Sequence, residues 1–187
     1  VLLYLANRVY AKRGNSVEEI FTWELFQKRY LDPTFGGALV QGQRNVVTSS
    51  ADLTAYAFLV GPRTTSPVVS ALRMSPINGL NLRWETDYDA RAHGLVDSSL
   101  TLDYRHSSYF VSIGHSTVHT DPAITAPAGQ FRLRGGFGDP NHRGFNVGAE
   151  AIYDTQQGYI QYTTMLVTYN TNCCGFSMQF HHVNVIG

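Results

Sequence analysis

The side chains best suited to chemistry in this 187-residue chain are two adjacent thiols, Cys173 and Cys174, the only cysteines it has. Neighbouring cysteines seldom bond to each other. A disulfide favours Cα atoms about 4.4 to 6.8 Å apart, and consecutive Cα atoms sit about 3.8 Å apart. If both are oxidised, each needs a partner elsewhere, and the chain holds no third cysteine. Three readings are open: free thiols, thiols whose partners lie outside this sequence, or two small buried hydrophobes. A free pair would be out of place in an oxidising compartment. One Cys-Cys step without a second pair does not make a zinc site.

Other candidates are weaker. The seven histidines are scattered. His181 and His182 would point to opposite faces of a strand, which makes them poor co-ligands. No Gly-x-Ser-x-Gly elbow frames a nucleophile, and no His-Glu-x-x-His helix frames a metal. Asp103-Tyr104-Arg105-His106 supplies acid and base types. On a strand, however, Asp103 and Arg105 share a face, and an ion pair is the plainer reading. Gly135-Gly136-Phe137-Gly138 is followed by no helical pattern, so it is not a phosphate loop. Glycines so spaced permit curvature or close strand approach. No catalytic residue, metal or cofactor is expected, and the chain is read as not an enzyme. A barrel phospholipase or protease would need an acid, a base and a nucleophile clustered together.

The elements that carry these residues are strands. Charged residues make up only 15% of the chain and aromatics 12%, with zero formal net charge. Soluble domains carry about 25% charge. Apolar content is not raised to compensate, and mean hydropathy is −0.15. Polar uncharged residues, Tyr and Gly replace the missing charge, which suits strands with one greasy and one polar face. The neutral balance gives no basic patch, so nucleic acid is not an expected partner. No run of about 18 apolar residues forms a transmembrane helix.

The dominant period is two. Leu80-Asn81-Leu82-Arg83-Trp84-Glu85-Thr86-Asp87-Tyr88-Asp89 alternates between apolar and polar. Leu100, Leu102 and Tyr104 alternate with Thr101, Asp103 and Arg105. Phe131 and Leu133 alternate with Gln130, Arg132 and Arg134, and Phe176, Met178 and Phe180 with Ser177, Gln179 and His181. Residues 145–154 alternate less cleanly. Such units run to about 10 residues, the length at which a tilted strand crosses a bilayer, against about 5 to 6 in globular strands. Ser16-Val17-Glu18-Glu19 matches a helix capping box. Phe21, Trp23 and Leu25 nonetheless alternate with Thr22 and Glu24, and the segment is read as strand.

Links supply a second pattern. Pro76-Ile77-Asn78-Gly79, Arg105-His106-Ser107-Ser108 and Gly138-Asp139-Pro140-Asn141 read as tight turns. Longer links fall at 61–67, 89–96 and 116–129. Outer-membrane barrels have short periplasmic turns and longer outer loops, which assigns the short links to the periplasm. Residues 31–50 break the rhythm as a long periplasmic link, and an extra strand fits near 38–43. The start lacks Met, a basic flank and a cleavage site, so the chain is expected to be truncated at both ends.

At Tyr169-Asn170-Thr171-Asn172-Cys173-Cys174-Gly175-Phe176 the sequence resembles the lipopolysaccharide-assembly protein (LptD, organic solvent tolerance protein) family. Asn7-Arg8-Val9-Tyr10-Ala11-Lys12-Arg13 and Asp32-Pro33-Thr34-Phe35-Gly36-Gly37-Ala38-Leu39 are similar to further family segments. The resemblance implies a periplasmic β-jellyroll ahead of a barrel of about 26 strands, plugged by the lipoprotein LptE. It implies lipopolysaccharide arriving over the bridge protein LptA and leaving sideways into the outer leaflet. It implies disulfides from Cys173 and Cys174 to the N-terminal part, and places 170–174 at a periplasmic turn. Residues 1–187 would be part of one barrel domain, a partial antiparallel transmembrane β-barrel of about 10 or 11 strands. The jellyroll and both gate strands would lie outside it. An open piece leaves strand edges that lipid cannot satisfy, so it would not be autonomous in a membrane.

On this reading Asn81, Arg83, Glu85, Thr101, Asp103, Arg105, Arg132 and Arg134 face the lumen. They hydrate and brace it or touch passing sugars or the plug, while the other parity meets outer-membrane lipids. The alternative is a porin or ligand-transporting outer-membrane barrel of another family, which needs no paired cysteines. A soluble β-sandwich would instead enclose an apolar centre between two sheets.

Overall fold

The structure, a computed structural model, describes residues 1–31, 64–119, 128–138 and 142–184. Ten strands occupy them: β1 (Leu2–Arg13), β2 (Ser16–Lys28), β3 (Val68–Ile77), β4 (Leu80–Asp89), β5 (Gly94–His106), β6 (Tyr109–Val118), β7 (Ala128–Phe137), β8 (Gly144–Asp154), β9 (Tyr159–Asn170) and β10 (Gly175–Val183). They form one antiparallel sheet in chain order. The all-β expectation holds, and no helix occurs among the described residues. Among the described residues the sheet is open, with β1 and β10 as its edges. No second sheet stacks on it among the described residues, so the sandwich arrangement is absent there.

Strands run from nine residues in β10 to 13 in β2 and β5, about twice the globular norm. Ser16–Lys28 is strand and not helix. Its Phe21, Trp23 and Leu25 share one face, and β1 and β3 hold its backbone on both sides. The Ser16 hydroxyl that could have capped a helix donates back to the Arg13 carbonyl.

The ends of the sheet differ. At one end the links are 14–15, 78–79, 107–108, 138–143 and 171–174. At the other they are 29–67, 90–93, 119–127 and 155–158. Among the described residues, two-residue turns thus occur at the first end alone. The expected turns at 78–79 and 107–108 are present, with Gly79 at φ 82° and Ser107 at φ 52°. The turn at Gly138 spans six residues, three of them outside the described set.

Two link expectations are corrected. The link expected at 89–96 is only the four residues 90–93. Asp89 closes it by accepting the Arg91 amide at 3.0 Å. A bulge then shifts the register, so that Asp87 pairs with Asp97 while Tyr88 pairs with Leu95. That extra residue breaks the alternation through 94–97 and makes strand read as loop. Secondly, β2 pairs directly with β3. β2 therefore ends and β3 begins at the end of the longer links, not at the short-turn end. The extra strand expected near 38–43 lies outside the described residues.

Little is buried. Among described apolar residues only Tyr30, Val69, Ala71, Val96 and Pro67 are buried. A sheet with no covering layer has no core of its own, and whatever stabilises this one must touch its faces.

Candidate functional site

Cross-strand partners lie on the same face of a sheet, so the register defines two walls. One row crosses all ten strands: Val9, Phe21, Met74, Leu82, Leu102, Ile113, Leu133, Ala151, Thr163, His182. The row one residue away, on the opposite face, reads Arg8, Thr22, Arg73, Arg83, Thr101, Gly114, Arg132, Ile152, Tyr162, Val183. The first wall is apolar. Its only Asp, Glu, Lys or Arg at paired positions are Arg13 and Glu18 beside the first turn, which pair with each other at 3.3 Å.

The apolar wall is bare. Leu5 is 55% exposed, Leu133 48% and Phe180 55%. Soluble monomers rarely expose contiguous apolar patches beyond a few hundred Å². The two tryptophans on this wall find their hydrogen-bond partners within it. The Trp23 indole donates to the Ser70 hydroxyl at 3.0 Å, and the Trp84 indole to that of Ser98 at 3.3 Å. Both serines lie on neighbouring strands, so no water is needed there.

Near the short turns this wall carries a row of aromatics: Tyr104, Tyr109, Phe137, Phe145, Tyr169 and Phe176. Tyr109 and Phe137 have ring centroids 5.0 Å apart, and Phe145 and Tyr169 4.7 Å. The row was not anticipated. Its signal is in the sequence, as aromatics within a few residues of the links at 107–108, 138–143 and 171–174, but only the register lines them up.

All eight polar-wall candidates share the other face. Asn81 pairs with Asp103, and Arg83 with Thr101. Asp103 and Thr101 continue through Ser112 and Gly114 to Arg134 and Arg132. Glu85 and Arg105 keep the same parity. The face is concave where a half-open cavity of about 710 Å³ lies, lined from β4 through β9, with Asn81, Asp103, Arg105, Ser112, Arg134 and Asn146 among its walls.

The ion pair expected between Asp103 and Arg105 does not form. The Arg105 guanidinium lies instead 5.6 Å from the Phe110 ring, and that of Arg134 lies 5.4 Å from the same ring. Glu150 stands opposite Arg134 in register but is taken by Arg132 at 3.3 Å.

Cys173 and Cys174 occupy the 171–174 turn, at the short-link end, and both are exposed free thiols. The reading as buried hydrophobes is therefore set aside. The Thr171 amide and hydroxyl both donate to the Cys174 carbonyl, at 2.8 and 2.9 Å, which fixes the turn. The sulfurs are 3.1 Å apart. The neighbouring Cys174 thiol, and next Thr171, hold the Cys173 thiol below the ordinary thiol range. His181 and His182 fall on opposite faces as expected. The His181 Nδ1 lies 2.7 Å from the Thr164 hydroxyl. Among the described residues no three His, Cys, Asp or Glu side chains gather so as to hold a metal.

No protein-family model matches the chain, and no curated protein matches it.

Proposed function

We propose that this sheet is a segment of a transmembrane β-barrel in a bacterial outer membrane. The observation that carries the reading is the pair of walls: one apolar, bare and free of charge between its turns, the other polar and concave. Two magnitudes support it. Ten residues at about 3.3 Å each make a strand of about 33 Å. Tilted by about 40°, it spans the apolar band of about 25 Å seen in outer-membrane barrels. The aromatic row suits a membrane–water interface, where a ring meets both phases.

Within that class we propose lipopolysaccharide insertion into the outer leaflet. An amphipathic glycolipid needs a wet path for its sugars while its acyl chains stay out of water, and two unlike walls one residue apart supply both. LptE as plug and LptA as bridge enter as partners through the family resemblance. The exposed thiols at the short-link end favour this reading over a porin, because they are accessible to a separate periplasmic domain. The test is depletion of the full-length protein in its Gram-negative host. Loss of surface lipopolysaccharide, with an outer membrane that becomes permeable, is expected. Normal lipopolysaccharide with a drop in uptake of small solutes would point to the porin.

A further inference from the structure

We propose that the concave wall holds a phosphate-binding site built on Arg105 and Arg134, with a phosphate monoester on a polar carrier as the ligand class. The inference rests on that wall being wet, and the two can fail separately.

Three independent features converge. First, two guanidiniums crowd one ring: Arg105 and Arg134 both lie within 6 Å of Phe110. Gly136, the cross-strand neighbour of Phe110, leaves the room, because a Cβ there would run into the ring. Neither arginine has a carboxylate partner among the described residues, and the one carboxylate in register with Arg134 is bound to Arg132. Among the described residues that line the cavity, a single acid, Asp103, stands against these two cations. Two like charges sharing a ring are unfavourable unless an anion joins them. A guanidinium fork matches phosphate oxygens two at a time, and a phosphate monoester carries about −1.5 to −2 charges.

Secondly, Asn146 on β8 is among the residues lining the same cavity, and among the described residues neither its Nδ2 nor its Oδ1 has a hydrogen-bond partner although both atoms are buried. Buried amides left unpaired are rare. After a rotation of that side chain toward the cavity, a ligand with donors and acceptors, such as a hydroxylated sugar, would satisfy both. Thirdly, about 710 Å³ is far more than a phosphate fills and lies in the range of small-molecule sites, about 300 to 1,000 Å³.

The experiment titrates the full-length protein, folded in detergent, by calorimetry with glucose 1-phosphate, inorganic phosphate and glucose. Saturable binding of the sugar phosphate is expected, with glucose silent. Each of Arg105→Gln and Arg134→Gln should weaken it about tenfold, the loss of one charge-assisted contact, and the double variant should abolish it. Arg91→Gln, in the turn at the far end, should bind as the parent does. Heat-modified mobility on electrophoresis verifies that each variant is folded. Tighter binding of the sugar phosphate than of phosphate assigns the site to a phosphorylated sugar. Equal binding assigns it to free phosphate. No saturable binding by the folded parent, or binding that survives the double variant, overturns the site. Spin-label accessibility along β5 in the same preparations reports on the wet wall by itself.

Discussion

At the scale of the residue, neighbouring positions should tolerate the same substitution very differently. Leu102 lies on the apolar wall and Asp103 on the polar one. In a bilayer, Leu102→Arg should cost about 2 to 4 kcal/mol if the position is near the midplane, and Asp103→Arg much less. Equilibrium unfolding of the full-length protein in lipid vesicles measures both, and equal costs would remove the distinction between the walls. A second residue-scale outcome concerns Cys173. Its lowered thiol value means more thiolate at neutral pH than an ordinary cysteine has. Alkylation of Cys173 should therefore reach half its maximal rate at a lower pH than alkylation of a free cysteine. Cys174→Ala removes the main cause and should move that midpoint upward. An unchanged midpoint would mean the neighbouring thiol has no influence.

At the scale of the element, the turns fix the register on which both walls depend. Gly79 has φ 82°, its carbonyl accepts the Arg105 amide at 2.7 Å, and a Cβ there would strike the Arg105 carbonyl. Gly79→Val should cost about 1 to 3 kcal/mol in strain and disturb Arg105 with it. At the other end Asp154 is buried and accepts the amides of Gln156 and Gln157 and the side chain of Gln161 at 2.7 to 2.9 Å. Asp154→Ala should lower stability by about 1 to 3 kcal/mol, read as a fall in the heat-modification midpoint. Strands with clean alternation were legible in the sequence: β4, β7, β10 and the 100–105 part of β5. The polar-wall parity of Asn81, Arg83, Asp103 and Arg134 followed from them. Two kinds of information were not legible. A bulge adds one residue and reverses parity, which hid the start of β5 and blurred β9, where Gln161 is the extra residue between Ile160 and Tyr162. And register is a relation between strands, so neither the aromatic row nor the meeting of Arg105, Phe110 and Arg134 could be read from one strand at a time.

At the scale of the whole molecule, the open ten-stranded sheet leaves the outer backbone groups of β1 and β10 without strand partners among the described residues, which hydrocarbon does not forgive. We expect those edges to be covered in the full-length protein. If the exposed thiols bond to a separate domain, non-reducing electrophoresis of the mature protein should show a mobility change that reductant abolishes. It should also vanish when Cys173 and Cys174 are both replaced by Ser. A shift that survives the double replacement would place the bonds elsewhere. The most direct measurement of the two-walled arrangement is spin-label accessibility at six consecutive positions, 100 to 105 on β5, in the full-length protein in lipid bilayers. Labels at 100, 102 and 104 should be relaxed by oxygen, which concentrates in hydrocarbon, and labels at 101, 103 and 105 by a water-soluble nickel chelate. Six labels that respond alike to both reagents would contradict a sheet that separates hydrocarbon from water.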